Sequence, residues 1–152
     1  MITQIVDENR YFVLGTVGPD ELPHLSPVYF THDDYRVFYW VSSPDAQHSR
    51  NLERSPAIEV VIFDSRLPPG STRAAYLRAD ARRIPDGELA DSCAVAFRNV
   101  SAGGGRAFDP QELSGDAPLR LYQATAREFA VHIRGSDPTY GRGVDTRMTV
   151  QF

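Results

Sequence analysis

The sequence contains no lysine, so all 16 of its basic residues are arginines. Any anion-binding site in this chain must therefore use arginine, histidine, hydroxyl groups or backbone N–H groups. The arginines form no basic stripe, and the net charge is −4 at pH 7. This charge balance argues against nucleic acid as a partner.

Cysteine and long apolar runs are also scarce. The single cysteine, Cys93, cannot form an internal disulfide, which fits a reducing cytoplasm. No stretch approaches the ~20 apolar residues of a membrane span, and the N-terminus lacks the apolar run of a signal peptide. We therefore expect a cytoplasmic protein without a membrane partner, folded as one domain over residues 1–152.

Two kinds of catalytic site find no support in the sequence. His24, His32 and His132 show no metal-ligand spacing with a carboxylate or with Cys93, so we predict no metal site. Ser42 and Ser43 do not lie in a G-x-S-x-G turn, which argues against a serine hydrolase. No side chain stands out as a general acid or base, and the catalytic residues stay unassigned.

The pattern of apolar residues predicts a mainly β protein with short helices. The predicted strands are Tyr11–Val17, His24–Thr31, Tyr35–Val41, Ala57–Asp64, Ala75–Ile84, Leu119–Thr125, Glu128–Arg134 and Val144–Phe152. Short turns join most of them, so we expect a mainly antiparallel sheet of six to eight strands, closed as a barrel to remove exposed edges. Pro27 cannot donate to a ladder, which places its strand at an edge or a bulge.

Three helices and one loop complete this prediction. Ile2, Ile5 and Val6 mark a short helix, and a second runs from Pro44 to Arg54 with Ser43 as its N-cap. The third covers residues 85–100, with Leu89, Cys93 and Ala96 or Phe97 on one face. The loop-like region Gly103–Pro118 begins with three glycines and has no role that the sequence assigns.

The stretch "YWVSSPDAQHSRN" joins a strand to the second predicted helix. The start of a helix has unpaired N–H groups and a partial positive charge, which favour a bound anion such as phosphate. Ser42, Ser43, Gln47, His48 and Arg50 would add donors around that start. The alternative is that these residues cap the helix and form its solvated face, with no ligand.

Three segments of the sequence resemble the pyridoxamine 5′-phosphate oxidase-like proteins, which are flavin-binding split β-barrels. These are "LGTVGPDELPHLSPVYF", similar to the family's opening hairpin, and "FYWVSSPDAQHSRNLERSP", similar to its strand, hydroxyl-rich turn and helix. "AIEVVIFD" followed by "YLRADARRI" is similar to the next two barrel strands. The resemblance covers about residues 1 to 85 well and the remainder in outline.

This resemblance implies a homodimer with FMN in a groove between two subunits, acting on an unidentified small molecule. Residues Ser26, Pro27 and Val28 would run beside the flavin ring and ribityl chain, and Val41, Ser42 and Ser43 would close the phosphate end. Gln47 and His48 would meet the phosphate, and Arg50 would join them or brace the turn. The large apolar residues Tyr29, Phe30, Phe38, Trp40 and Phe63 also favour a dimer, because some of them should point outward.

The sequence departs from the family pattern at two places. His48 stands where the family usually has a phosphate-binding lysine, and it adds charge only when protonated. The ending "DTRMTVQF" lacks the Arg-x-His with which the true oxidases bind their substrate.

Three functions remain open at this point. The first is an FMN-dependent oxidoreductase, and the second is a reductase that uses a deazaflavin coenzyme in the same groove. For the second, a basic surface for the acidic tail of the coenzyme would come from Arg73, Arg78, Arg82 and Arg83. The alternative is that these arginines form a solvated strand edge. The third is a split barrel that binds a flavin or another ligand without catalysis.

Overall fold

A computed structural model describes residues 1–151. Within this range the α-helices are α1 (Ile2–Glu8), α2 (Gln47–Arg54) and α3 (Leu89–Ala96). The strands are β1 (Tyr11–Val17), β2 (Pro23–Tyr29), β3 (Thr31–Asp33), β4 (Val37–Ser42), β5 (Ala57–Phe63), β6 (Ala74–Arg83), β7 (Arg120–Ile133) and β8 (Thr146–Val150). Short 3-10 helices occupy Asp86–Glu88, Val100–Gly103 and Pro110–Leu113. No described helix is both long enough and apolar enough to cross a membrane.

All of the strands belong to one antiparallel sheet that curls into a split half-barrel, which confirms the predicted fold class. The order is β2-β1-β5-β6-β7-β4-β3, and β8 is added beside β7. Strand β7 pairs with β6 along most of its length. On its other side β7 pairs first with β4 and then with β8.

The structure corrects the prediction that β7 is two strands. It is one strand of 14 residues with a register shift opposite Arg78 and Ala79, where Arg127 is the extra residue. A bulge of this kind moves the following side chains to the other face of the sheet. The alternation of apolar residues therefore changes phase at Arg127. The sequence pattern predicts a break between two strands there, although the strand is continuous.

Two further boundaries differ from the prediction. The second predicted strand divides at Phe30 into β2 and β3, and β3 forms a hairpin with β4. Strand β2 lies at the end of the sheet order, which confirms the edge position predicted from Pro27. The third predicted helix, residues 85–100, is shorter than expected: α3 covers only Leu89–Ala96, and its buried face consists of Leu89, Cys93 and Ala96. The last predicted strand reached Phe152, which lies outside the described residues.

The apolar core fills the concave side of the curled sheet. On β1 the buried side chains are Phe12, Leu14 and Thr16, which alternate with outward ones as expected for a strand. Trp40 stacks on Tyr122 across the β4–β7 pair, with ring centroids 5.8 Å apart. A second cluster on the other side of β4 and β7 packs α3 against the sheet; it contains Tyr39, Ile84, Leu89, Cys93, Ala96, Leu113 and Leu121.

The apolar residues that face outward are mostly not those named from the sequence. Phe30, Phe38 and Trp40 are buried in the core, whereas Phe63 is 40% exposed. The larger exposed patch lies on β1, β2 and the turn between them, where Tyr11, Val17, Leu22 and Leu25 have exposed fractions of 60%, 41%, 61% and 68%. Exposed apolar patches on soluble proteins often mark an interface.

We expect this patch to pair two copies of the chain. Light scattering should give twice the chain mass, and Leu25→Asp should shift the protein toward the monomer because it places a charge in the apolar patch. Val144→Asp is the matched control, since Val144 is equally exposed, at 66%, outside the patch. A wild-type protein that is monomeric at micromolar concentration contradicts the prediction.

Candidate functional site

The turn between β4 and α2 is built by side chains of the sequence "SSPDAQHS". The Ser43 hydroxyl accepts the Asp45 N–H at 3.1 Å, and the Ser43 carbonyl accepts both the Ala46 N–H at 3.2 Å and the Ser49 hydroxyl at 2.7 Å. These bonds stabilise a turn over residues 44–46, before the helix begins at Gln47. Ser43 was therefore the wrong N-cap: the N-cap is Ala46, and no side chain caps the helix.

Helix α2 begins later than predicted because the hydrogen bond of the Ser43 hydroxyl competes with helix formation. A serine hydroxyl that bonds two residues ahead offers the backbone an alternative to helical hydrogen bonds. The consequence is a helix start whose first N–H groups have no side-chain acceptor. Such a start remains available to an anion.

His48 is held between two hydroxyls from different parts of the sheet. Its Nε2 lies 2.9 Å from the Ser42 Oγ, at the end of β4, and its Nδ1 lies 3.2 Å from the Ser26 Oγ on β2. Helix α2 packs against β1 and β2, which brings the imidazole to this position. Ser26, Ser42 and His48 therefore form one cluster, although Ser26 is distant from the other two in the sequence.

Burial lowers the pKa of His48 below its usual value of 6.5, and the nearby His24 lowers it further. The ring is therefore mainly neutral at pH 7, so it can donate one hydrogen bond and accept one. A serine hydroxyl can serve either nitrogen, since it both donates and accepts.

The buried polar residues Ser49 and Asn51 fix the position of α2 by hydrogen bonds to residues outside the helix. The Asn51 Nδ2 donates to the Thr16 Oγ1 at 3.0 Å, and the Asn51 Oδ1 accepts the Gln47 Nε2 at 2.8 Å. Asn51 and Ser49 are each only 1% exposed. Thr16 ends the buried row of β1, so this bond ties the helix to the end of the core.

The remaining predicted residues have different surroundings. Pro27 is exposed on the edge strand, whereas the Val28 side chain is buried in the core. Gln47 bonds to its own helix, and the Arg50 guanidinium lies 3.8 Å from the Asp45 carboxylate, beside the turn. Val41 is half-buried and faces away from the His48 cluster, since Ser42 follows it in the strand.

Val41 lines a cavity of about 410 Å³ on the outer side of β4. The cavity has an aromatic wall that sequence reasoning missed, made of Tyr11, Tyr29, Tyr39, Phe97 and Phe108. Tyr29 could have been found, because it follows Pro27 on the same outward-facing row of β2. Phe97 lies in the third predicted helix, at the end of α3, whereas Phe108 follows the glycine run in the loop-like region, to which the sequence assigns no position.

The curled antiparallel sheet and its flanking helices define the split-barrel class of protein. Within that class, the family model described as pyridoxamine 5′-phosphate oxidase matches residues 2–132. The chain belongs to this family, as the three sequence segments indicated. No curated protein matches the sequence.

Solved structures show the same fold at low identity. A candidate pyridoxamine 5′-phosphate oxidase from Listeria innocua is 18% identical, with a TM-score of 0.62 over 86% of this chain and 94% of its own. A heme-binding protein from Mycobacterium smegmatis is 18% identical, with a TM-score of 0.66 over 95% of this chain and 55% of its own. An F420 reductase is 22% identical, with a TM-score of 0.56 over 78% of this chain and 87% of its own.

Replacing Asn51 should destabilise the protein. Asn51→Ala leaves the buried Thr16 hydroxyl without this donor, and we expect a loss of about 1–3 kcal/mol in the free energy of unfolding. Urea unfolding of the variant measures it. Gln47→Ala is the matched control, because it removes only the exposed side of the same network, and it should cost less. Equal losses in the two variants contradict the prediction.

His48 should titrate below pH 6.5 in the ligand-free protein, which NMR of the imidazole C–H signals measures. His24→Gln should raise the pKa of His48, because it removes a positive charge nearby. The unfolded chain binds this proton more tightly than the folded one. His48 therefore makes stability fall as the pH drops below about 6.5. A pKa above that of a free histidine contradicts the assigned environment.

Proposed function

We propose that this protein is an FMN-binding oxidoreductase whose phosphate site is the turn between β4 and α2. The observation that carries the proposal is the His48 cluster, in which Ser26 and Ser42 hold an imidazole beside an uncapped helix start. Membership of the pyridoxamine 5′-phosphate oxidase family supports the same site. We also propose a cytoplasmic homodimer that acts on a small molecule.

The donor set fits a phosphate monoester. Ser42 and Ser43 supply hydroxyl donors, and the first N–H groups of α2 supply backbone donors. His48, whose two ring nitrogens bond to Ser26 and Ser42 in the free protein, would exchange one of these bonds for one to phosphate. Gln47 reaches the same helix start and can exchange its bond to Asn51 for one to phosphate. Arg50 braces the turn through Asp45 and adds positive charge near the anion.

The flavin ring has space along the outer side of β4. The cavity beside Val41 has a volume of about 410 Å³, within the range of roughly 300–1,000 Å³ that ligand sites occupy. Pro27 is exposed on the same outward row of β2 as Tyr29, which lines this cavity. Because the Val28 side chain is buried, only its backbone is available to the cofactor.

When bound, a flavin supplies the redox chemistry itself. The residues of this chain would bind the phosphate, orient the ring against the aromatic wall and keep water from one of its faces. We assign no proton transfer to a side chain of this site.

A deazaflavin coenzyme is the second candidate, favoured by the structural similarity to an F420 reductase. Three of the four arginines predicted to bind its acidic tail lie beside carboxylates, however, and Arg83 alone of the four forms no ion pair within residues 1–151. Arg73 pairs with Glu8 at 2.7 Å and Arg82 with Glu88 at 2.7 Å, whereas Arg78 lies 3.9 Å from Glu59 and 3.8 Å from Glu128. FMN therefore fits the charges of this chain better.

The purified protein tests these candidates directly. Flavin absorbance, with FMN identified by mass spectrometry of the released ligand, supports the proposal. A colourless protein that binds added deazaflavin and not FMN supports the second candidate. A protein that binds FMN and shows no flavin reduction by any donor contradicts the oxidoreductase and leaves a ligand-binding barrel.

FMN should bind more tightly as the pH falls. A phosphate dianion raises the pKa of His48, which burial lowers in the free protein, so the complex takes up a proton between these two pKa values. We expect up to about tenfold tighter binding for each unit by which they differ, on going from about pH 8 to about pH 6.5. This range keeps FMN mostly a dianion, whose second pKa is about 6.

Fluorescence titrations with FMN and riboflavin measure the effect on wild type and two variants. His48→Gln keeps a donor without a titratable charge, so it should flatten the pH dependence and retain part of the affinity. His48→Ala should weaken FMN binding further, and riboflavin, which has no phosphate, should respond to neither variant. Unchanged FMN binding by His48→Ala would falsify the phosphate site.

A further inference from the structure

A second cavity, of about 540 Å³, lies between α1, the β3–β4 hairpin and α3. Three polar side chains form one rigid part of its wall. The Tyr35 hydroxyl donates to the Asp7 Oδ2 at 2.9 Å, and the His32 Nε2 lies 3.5 Å from the Asp7 Oδ1. The Tyr35 N–H donates to the His32 Nδ1 at 3.3 Å, which places the ring proton on Nε2, facing Asp7. Both oxygens of the Asp7 carboxylate are therefore held within this wall by neutral partners.

Arg10 is the arginine of this cavity that has no carboxylate partner among residues 1–151. Across it, Arg98 lies 4.0 Å from the Asp33 carboxylate, whereas within residues 1–151 Arg10 forms no ion pair. A Cβ on Gly103 would lie 3.0 Å from the Arg10 Nη1, so the glycine lets the guanidinium rest against the backbone. The glycine run thus has a steric role: it leaves room for an exposed cation at the mouth of the cavity.

The rest of the lining is mixed: Asn9, Thr31 and Asn99 are polar, and the apolar and aromatic side chains include Val6, Tyr29, Phe30, Val95 and Val100. A ligand with an apolar body could bury it against these side chains, while an anionic group remains at the mouth. A guanidinium matches a carboxylate geometrically, through two parallel hydrogen bonds.

We propose that this cavity binds a small carboxylate with an apolar, ring-like body, and that Arg10 holds the carboxylate. The site is separate from the His48 cluster. Arg10 and Tyr29 also line the cavity beside Val41, so the carboxylate is placed to be the substrate of a bound flavin. That last role rests on the proposed function, whereas binding at Arg10 does not.

Calorimetry with benzoate as the probe, and with benzamide as its uncharged counterpart, tests the site. Wild type should bind benzoate at least about tenfold more tightly than benzamide, since a hydrogen-bonded charge pair contributes that much. Arg10→Gln should remove this preference. The matched control is Arg66→Gln, because Arg66 is an exposed arginine that pairs with Asp64 and does not line the cavity. It should bind benzoate as wild type does.

A second variant keeps the test decisive if Arg10→Gln fails to fold. Arg10→Lys retains the charge without the two-pronged geometry and should bind benzoate with intermediate affinity. Wild-type affinity in either Arg10 variant, or equal losses in Arg10→Gln and Arg66→Gln, overturns the proposal.

FMN titration of the same proteins separates this inference from the proposed function. Benzoate binding through Arg10 in a protein that takes up no FMN supports the carboxylate site and refutes the flavin function. FMN binding without any binding of benzoate refutes the carboxylate site alone.

Discussion

The two-sided pairing of β7 determines where everything else in the molecule lies. Its first half pairs with β4, from Arg120 opposite Ser42 to Thr125 opposite Val37, and its second half pairs with β8. The bulge at Arg127 separates these halves while β6 continues along the other side. Because β4 is attached in this way, its end at Ser42 is carried toward the edge strand β2. The cluster with Ser26 and His48 depends on that approach.

Much of the fold could be predicted because its signals are local. Alternation of apolar residues located β1, β5 and β6 to within one or two residues, and Pro27 placed β2 at an edge. The predicted boundaries were wrong at the start of α2 and in the middle of β7. Ser43 resembles an N-cap in sequence, but its hydroxyl closes a turn in front of the helix. Strand β7 was predicted as two strands because the extra residue Arg127 reverses the alternation of buried and exposed side chains.

The site was predictable only where family resemblance or adjacency in the sequence gave a signal. Ser42 and His48 belong to one segment, and the structure joins them to Ser26 across the sheet. Nothing local in the sequence reveals that Arg10 lines two cavities, since its position depends on a close approach to Gly103, about 90 residues later in the sequence. Long-range contacts of this kind are set by tertiary packing and leave no periodic pattern.

The chain contains a single tryptophan, Trp40, two residues before Ser42. It is 2% exposed and stacks on Tyr122. Its emission therefore reports from one known place, inside the barrel wall that lines the cavity beside Val41. Flavins absorb in the range where indoles emit, so a flavin in that cavity would quench the tryptophan by energy transfer. The protein thus carries its own optical reporter, with no label to attach and no second indole to obscure the signal.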